Sequence, residues 1–227
     1  MGRGIVEPVD DFRASNPPSN EALLEALAED FVSSGFDRKH ITRTILNSRT
    51  YQLSARTNDF NASDTKYFSH ARPRLLSAEQ LLDAICAVTG VQEKYAGLPA
   101  GTRATQLPSP DGDHNFLKVF GQPPREMACQ CERSTDSNLS QALQMINGPL
   151  IHEKLQNEGN RIRSLVEAGK DNAEIVNELY QVALCRQPQA EEIEAAEKHI
   201  AAQEDRVKAL EDVCWAILNA KEFLFQH

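Results

Sequence analysis

Two cysteines one residue apart, Cys129 and Cys131, have the spacing that most directly suggests chemistry in this sequence. Side chains at i and i+2 share one face of an extended segment but lie about 200° apart on a helix, so a joint role requires a non-helical backbone. That role is either metal ligation or redox chemistry. The alternative is that one or both sulfurs are buried at a loop-to-helix junction, because free cysteine packs as a small hydrophobic residue. We favour burial.

The charged neighbours of the two thiols indicate a structural cluster. The dipeptides Arg125-Glu126 and Glu132-Arg133 flank Cys129 and Cys131, and we interpret them as a buried or half-buried ion-pair network that fixes a long loop onto helices. A bridge between the two sulfurs would close a very small ring with strained geometry. We predict that no metal is bound here.

Three carboxylates near the N-terminus, Glu7, Asp10 and Asp11, are the candidate catalytic residues. Paired carboxylates about 5–10 Å apart can perform acid–base catalysis at a glycosidic bond. Carboxylates beside Pro8 and Arg13 are more often turn formers, capping groups or ion-pair partners. A hydrolase acting on polysaccharide is therefore the alternative hypothesis.

The sequence between positions 91 and 125 predicts a long loop that could present binding groups. It contains five prolines and four glycines around one short apolar stretch, Phe116 to Phe120. Structureless loops of this length are uncommon unless they are functional, and loops on a rigid scaffold concentrate binding groups. The predicted binding residues are Arg103, His114, Phe116 and Arg125.

Apolar residues elsewhere recur at three- and four-residue spacing, which predicts an all-α fold: an irregular multi-helix bundle with long Pro/Gly-rich loops. The first two helices are predicted to form a hairpin that turns at Gly35, and residues 52–76 are predicted to form a surface loop. The predicted helix caps are Ser19, Asp37, Ser77 with Gln80, and Asp171 with Glu174.

We predict a single helical domain over 1–227, with an N-terminal helical part (1–90), the long loop with Cys-x-Cys (91–135) and C-terminal helices (136–227). The first residues are typical of sequence inside a domain, so we expect a C-terminal fragment of a longer protein.

Two helix ends resemble each other. Ile45 to Tyr51 and Ile217 to Phe223 share an apolar pair, an Asn, a small residue, a base and an aromatic ring. This pattern indicates either a helical-hairpin pseudo-repeat or chance similarity between two helix ends, where Asn tolerates a left-handed cap. A true repeat predicts that Tyr51 and Phe223 pack on their preceding helices in matching positions.

Composition excludes several classes of function. The net charge of −9 argues against a nucleic-acid partner, and no apolar run approaches the ~18 residues of a membrane span. The five cysteines are too few and too scattered for a disulfide scaffold, and no Cys-x-x-Cys pair or Cys-x-x-Cys-His haem motif is present.

Several segments in the same order resemble one family, the planctomycete-type secreted domain of unknown function. The resemblance covers nearly the whole chain. The matching segments are Gly2 to Arg13, Asn16 to Ser19, Ile45 to Gln52, Cys129 to Arg133, Asn147 to Pro149 and Trp215 to Phe223.

This resemblance implies a domain at the C-terminus of a larger protein, behind a second uncharacterised domain and often a cytochrome c domain. It also implies export to the periplasm or cell surface. No cofactor is then expected in this chain, and haem is expected only in an upstream domain. Upstream domains of the same polypeptide, or an extracellular polymer, are the expected partners. We therefore predict a non-catalytic interaction or structural module.

Overall fold

The computed structural model describes residues 2–9, 11–110, 114–123 and 139–226. These residues are mostly helical, which confirms the predicted all-α class. None of the described helices is long and apolar enough to cross a membrane. The helices are α1 Glu21–Ser33, α2 Arg38–Leu46, α3 Ala78–Thr89, α4 Asn115–Val119, α5 Leu139–Asn147, α6 Pro149–Gln156, α7 Arg161–Glu167, α8 Asn172–Leu184, α9 Ala190–Ala201, α10 Arg206–Leu218 and α11 Lys221–Leu224.

The chain forms two compact units, and the boundary between them lies between Arg74 and Leu75. Helix α3, which the sequence-based partition placed in an N-terminal part ending at residue 90, therefore belongs to the second unit. The prediction of one domain over 1–227 stays a prediction. Two short strands, β1 Arg74–Leu75 and β2 Phe225–Gln226, form a two-stranded sheet, beside which the Leu76 amide donates to the Leu224 carbonyl at 3.0 Å.

The first unit is built on a hairpin of α1 and α2. Asp37 caps α2, because its carboxylate accepts from the Lys39 and His40 amides at 2.8 and 3.2 Å. The α1 cap is Asn20 rather than the predicted Ser19. The amide and the hydroxyl of Ser19 instead donate hydrogen bonds to the Ile5 carbonyl. The side chain of Asn20, an equally suitable capping residue, then caps the helix.

The second unit contains nearly all of the buried core. Helix α3 packs on α4, α6 and α8, and α10 packs on α6, α7, α8 and α9. The predicted capping boxes at Ser77 with Gln80 and at Asp171 with Glu174 are both formed. The largest fully buried side chains include Leu81, Leu82, Ile85, Ile175, Leu179, Leu210 and Leu218.

The segment after α3 is not the continuous irregular loop that its prolines predicted. It contains a 3-10 turn at Ala104–Gln106 and the helix α4. Asp83 of α3 accepts from the Ala104 and Thr105 amides at 2.7 and 3.1 Å, and Phe116 and Phe120 stack with ring centroids 4.3 Å apart. Asp83 thus satisfies two backbone amides beside the buried Ala104, and Leu107, Phe116 and Phe120 of the same segment are also buried.

The two similar helix ends have the same C-cap residue, but their aromatic rings differ in burial. Asn47 and Asn219 are both C-caps, with φ of −83° and −93°, so both are right-handed rather than left-handed as expected. Tyr51 is 36% exposed whereas Phe223 is 4% exposed and lies in α11. The structure therefore does not place the rings in matching positions.

Candidate functional site

The candidate catalytic carboxylates have local partners. Glu7 accepts from the Gly4 amide at 2.9 Å, and Asp11 forms a bidentate pair with Arg13 at 2.5 and 2.6 Å. These are the turn and ion-pair roles that the sequence offered as the alternative to catalysis. Asp10 lies outside the described residues.

Part of the predicted site cannot be placed. Arg125 and the structural cluster of Cys129, Cys131, Glu132 and Arg133 lie outside the described residues. Arg103 is exposed and precedes the 3-10 turn, where its amide donates to Gln106 at 3.0 Å.

His114 and Phe116, in contrast, border one groove of about 550 Å³. We call it the polar groove and define it by residues Val91, Glu93, His114, Phe116, Gln144 and Lys154. His114 is positioned as the N-cap of α4, where its Nδ1 accepts from the Leu117 amide at 3.4 Å. Phe116 is 3% exposed and contributes its ring to the core behind the groove.

A buried ion pair forms the wall of the polar groove. The Lys154 ammonium lies 2.7 Å from a Glu93 carboxylate oxygen and donates to the Val91 carbonyl at 2.9 Å. The other Glu93 oxygen is 3.6 Å from His114 Nε2. Lys154 is 4% exposed as a residue, so these oxygens replace the water that its charge would otherwise bind.

The environment of Glu93 holds its pKa low. His114, whose Nε2 lies 3.6 Å from this carboxyl, and the Lys154 ammonium lower the pKa of Glu93 from 4.5 to about 2, against the opposing effect of burial. Glu93 is therefore ionised at neutral pH, and it joins the segment after α3 to α4 and α6.

The thiol of Cys86, which interacts with this pair, is not activated. Burial raises the pKa of Cys86, and the nearby Lys154 ammonium only partly opposes that effect. A neutral buried thiol is a poor nucleophile. In the part of the chain that the structure describes, the polar groove thus offers a charged wall formed by Glu93, His114 and Lys154.

Acid titration gives a direct test of this description. A carboxylate with a lowered folded-state pKa stabilises the protein above its unfolded pKa, and the contribution disappears as pH falls through the folded value. For Glu93 this window runs from 4.5 to about 2. We expect Glu93→Gln to make the free energy of unfolding less dependent on pH across this window, measured by urea titrations at a series of pH values. Equal pH slopes in both proteins would contradict this.

Sequence reasoning missed Glu93 and Lys154, although one signal was present. Lys154 occupies the buried stripe of α6, three residues after Ile151 and one before Leu155. A lysine on a buried helical face needs an anionic or carbonyl partner. Nothing in the sequence near Lys154 identifies Glu93 as that partner.

Apolar side chains of the first unit form a second surface of interest. Among its described residues Val6 is the only buried apolar side chain, and neither α1 nor α2 has a buried residue. The large apolar side chains that it exposes are Val9, Phe12, Leu23, Val32, Phe36, Ile45, Leu46, Tyr51, Leu53, Phe60 and Tyr67.

Three of these residues lie at one end of the hairpin. Leu23 is in the first turn of α1, and Ile45 and Leu46 close α2. Because a helical hairpin runs antiparallel, these positions lie at the same end of the pair. We call this set the hairpin base.

The family described as PSD1, Protein of unknown function (DUF1553), matches residues 1–200. The chain belongs to this family. The PSD1 match covers the first unit, the hairpin base, the polar groove and the second unit as far as residue 200, and its description names no reaction. No curated protein and no solved structure matches the chain. Among the described residues of this PSD1 chain, no group of three or more His, Cys, Asp or Glu side chains is placed to hold a metal ion.

Proposed function

We propose that this chain is a non-catalytic interaction module that docks another domain of the same polypeptide through the hairpin base. The single observation that carries the proposal is the unequal distribution of apolar surface. The first unit has one buried apolar side chain among its described residues, yet it exposes large apolar side chains on two amphipathic helices.

The balance between backbone entropy and apolar burial favours a hairpin whose apolar side chains are covered by a partner rather than exposed to water. Ordering each residue costs about 1–2 kcal/mol of backbone entropy, and burial of an apolar side chain returns about 1.5–3 kcal/mol. Leu23, Ile45 and Leu46 are 40%, 39% and 44% exposed, so much of this stabilisation is not used within the chain. A partner that covers the hairpin base would supply it.

The partner we propose is an upstream domain, as the family resemblance implies. Periplasmic or cell-surface location and association with a cytochrome c domain belong to the same proposal and rest on that resemblance. Any haem would be held by the upstream domain. The alternative, hydrolysis of polysaccharide by Glu7, Asp10 and Asp11, receives less support because Glu7 and Asp11 serve local structure.

The test uses a double variant of the full chain, Leu23→Asp with Leu46→Asp. Its binding to the polypeptide encoded directly upstream is measured by isothermal titration calorimetry. We expect affinity to fall at least about tenfold, because two apolar contacts are lost and two charges are desolvated. Circular dichroism should be unchanged, since both side chains are exposed in the free chain.

The matched control is Ala22→Asp with Thr44→Asp, which adds the same charge at exposed positions of the same two helices. Its affinity should stay within about twofold of the original. An equal loss in both double variants, or no binding by the unaltered chain, would disprove docking at the hairpin base. Binding of a soluble polysaccharide instead would identify a polymer as the partner.

A further inference from the structure

A second groove in the second unit lies between α8, α9, α10 and α11. We call it the acidic groove and define it by residues Tyr180, Arg186, Glu191, Asp212, Trp215 and Ala216. Its volume is about 710 Å³, within the range of small-molecule sites. Small or buried apolar residues, including Ala196, Val213 and Ile217, form its floor.

Arg186 cannot offer this groove an anion-binding group. Its guanidinium donates to Glu222 through Nε and one terminal nitrogen at 2.6 and 2.8 Å. It also donates to both Glu192 oxygens at 2.8 Å and to the Gln187 carbonyl at 3.1 Å. A guanidinium has five N–H donors, and these five bonds use all of them.

Charge in the groove is negative. Glu191, Glu192, Asp212 and Glu222 line it together with Arg186 and His199. His199 Nε2 lies 3.1 Å from an Asp212 oxygen. Carboxylates therefore outnumber bases in either protonation state of His199, and the groove favours a cation.

Trp215 supplies an aromatic wall. It is 37% exposed, and its indole N–H donates to the Ile146 carbonyl at 3.2 Å, which fixes the ring. Aromatic rings attract ammonium groups, and tryptophan does so most strongly. A carboxylate beside such a ring adds Coulombic attraction to the same group.

We propose that the acidic groove binds an organic ammonium ion with an apolar body. The charged group lies near Asp212 and Trp215, and the apolar body covers the alanine and valine floor. The acidic groove shares no residue with the hairpin base, so the two proposals succeed or fail independently.

The chain contains a single tryptophan, so its fluorescence reports on this groove directly. The full chain is titrated with benzyltrimethylammonium, with neutral benzyl alcohol and with anionic benzenesulfonate. We expect a saturable change in Trp215 emission with the ammonium, and affinity at least about tenfold weaker for the sulfonate, since it is repelled by the carboxylates. The difference should shrink as salt is added.

Two double variants test the role of the carboxylates. Glu191→Gln with Asp212→Asn is expected to weaken ammonium binding about fivefold, because each exposed charge contributes modestly. The matched control, Glu194→Gln with Glu204→Gln, removes the same charge from exposed positions outside the groove and should change affinity less than about twofold. Calorimetry with Trp215→Ala should show most of the binding lost.

Three results would overturn the proposal. They are equal binding of the ammonium and the sulfonate, an equal loss of affinity in both double variants, and no saturable change in Trp215 emission with millimolar ammonium.

Discussion

Replacing Glu93 by Gln is expected to lower the free energy of unfolding by about 3 kcal/mol at neutral pH. Removal of one partner from a buried ion pair costs about 3–5 kcal/mol because the other charge is left buried. A glutamine oxygen can still accept from Lys154, as the Val91 carbonyl does at 2.9 Å, but neither oxygen carries the negative charge that balances the buried ammonium. The lower end of the range applies because the Glu93 side chain is 22% exposed. Urea denaturation at pH 7 measures the change.

The double variant Glu93→Gln with Lys154→Met is the control. It removes both charges and leaves an apolar side chain in the space of Lys154, so it should be more stable than Glu93→Gln alone. If the loss of stability in the double variant equals the sum of the losses in the single variants Glu93→Gln and Lys154→Met, the two groups are not coupled and the ion pair does not fix the segment.

Replacing Asn160 by Ala is expected to cost a similar amount, about 3 kcal/mol. Asn160 is 1% exposed, and its side chain caps α7 by accepting from the Arg163 amide at 2.8 Å. It also donates to the Leu155 carbonyl. Loss of the cap costs about 1 kcal/mol, and the unsatisfied buried carbonyl adds about 1–3 kcal/mol. The measurement is again urea denaturation.

A serine at position 160 separates the two contributions. The serine hydroxyl can cap the helix but is too short to replace the hydrogen bond that the Asn160 side chain donates to the Leu155 carbonyl. The free energy of unfolding of Asn160→Ser should therefore be about 1 kcal/mol higher than that of Asn160→Ala. Equal stability of the Ser and Ala variants would show that the cap contributes nothing. Full stability of the Ala variant would contradict the whole account of Asn160.

Local signals in the sequence predicted much of the fold. Asp37 and the two capping boxes determine where helices begin through bonds within a few residues, so they can be read from spacing alone. The prediction of Ser19 as the N-cap of α1 was wrong by one residue, because the Ser19 hydroxyl donates a hydrogen bond to the carbonyl of Ile5, which is distant in the sequence. Helix existence was therefore predictable, and exact boundaries depended on longer-range bonds.

The candidate site was predictable only in part, for the same reason. His114 was chosen from its position in a loop, and the structure places it at a groove. The groove wall depends on Lys154 reaching Val91, 63 residues away in the chain. Proline and glycine density placed Phe116 in a loop as a predicted binding residue, but its side chain is 3% exposed and belongs to the buried core.

The uneven distribution of the core determines what a calorimetric experiment on this chain reports. Exposure of buried apolar surface is the main source of the heat-capacity increase on unfolding. Apart from Val6, the buried apolar side chains among the described residues lie in the second unit. The excess heat of the isolated chain should therefore report mainly on the second unit, and the partly exposed α1–α2 hairpin should contribute a smaller heat-capacity change.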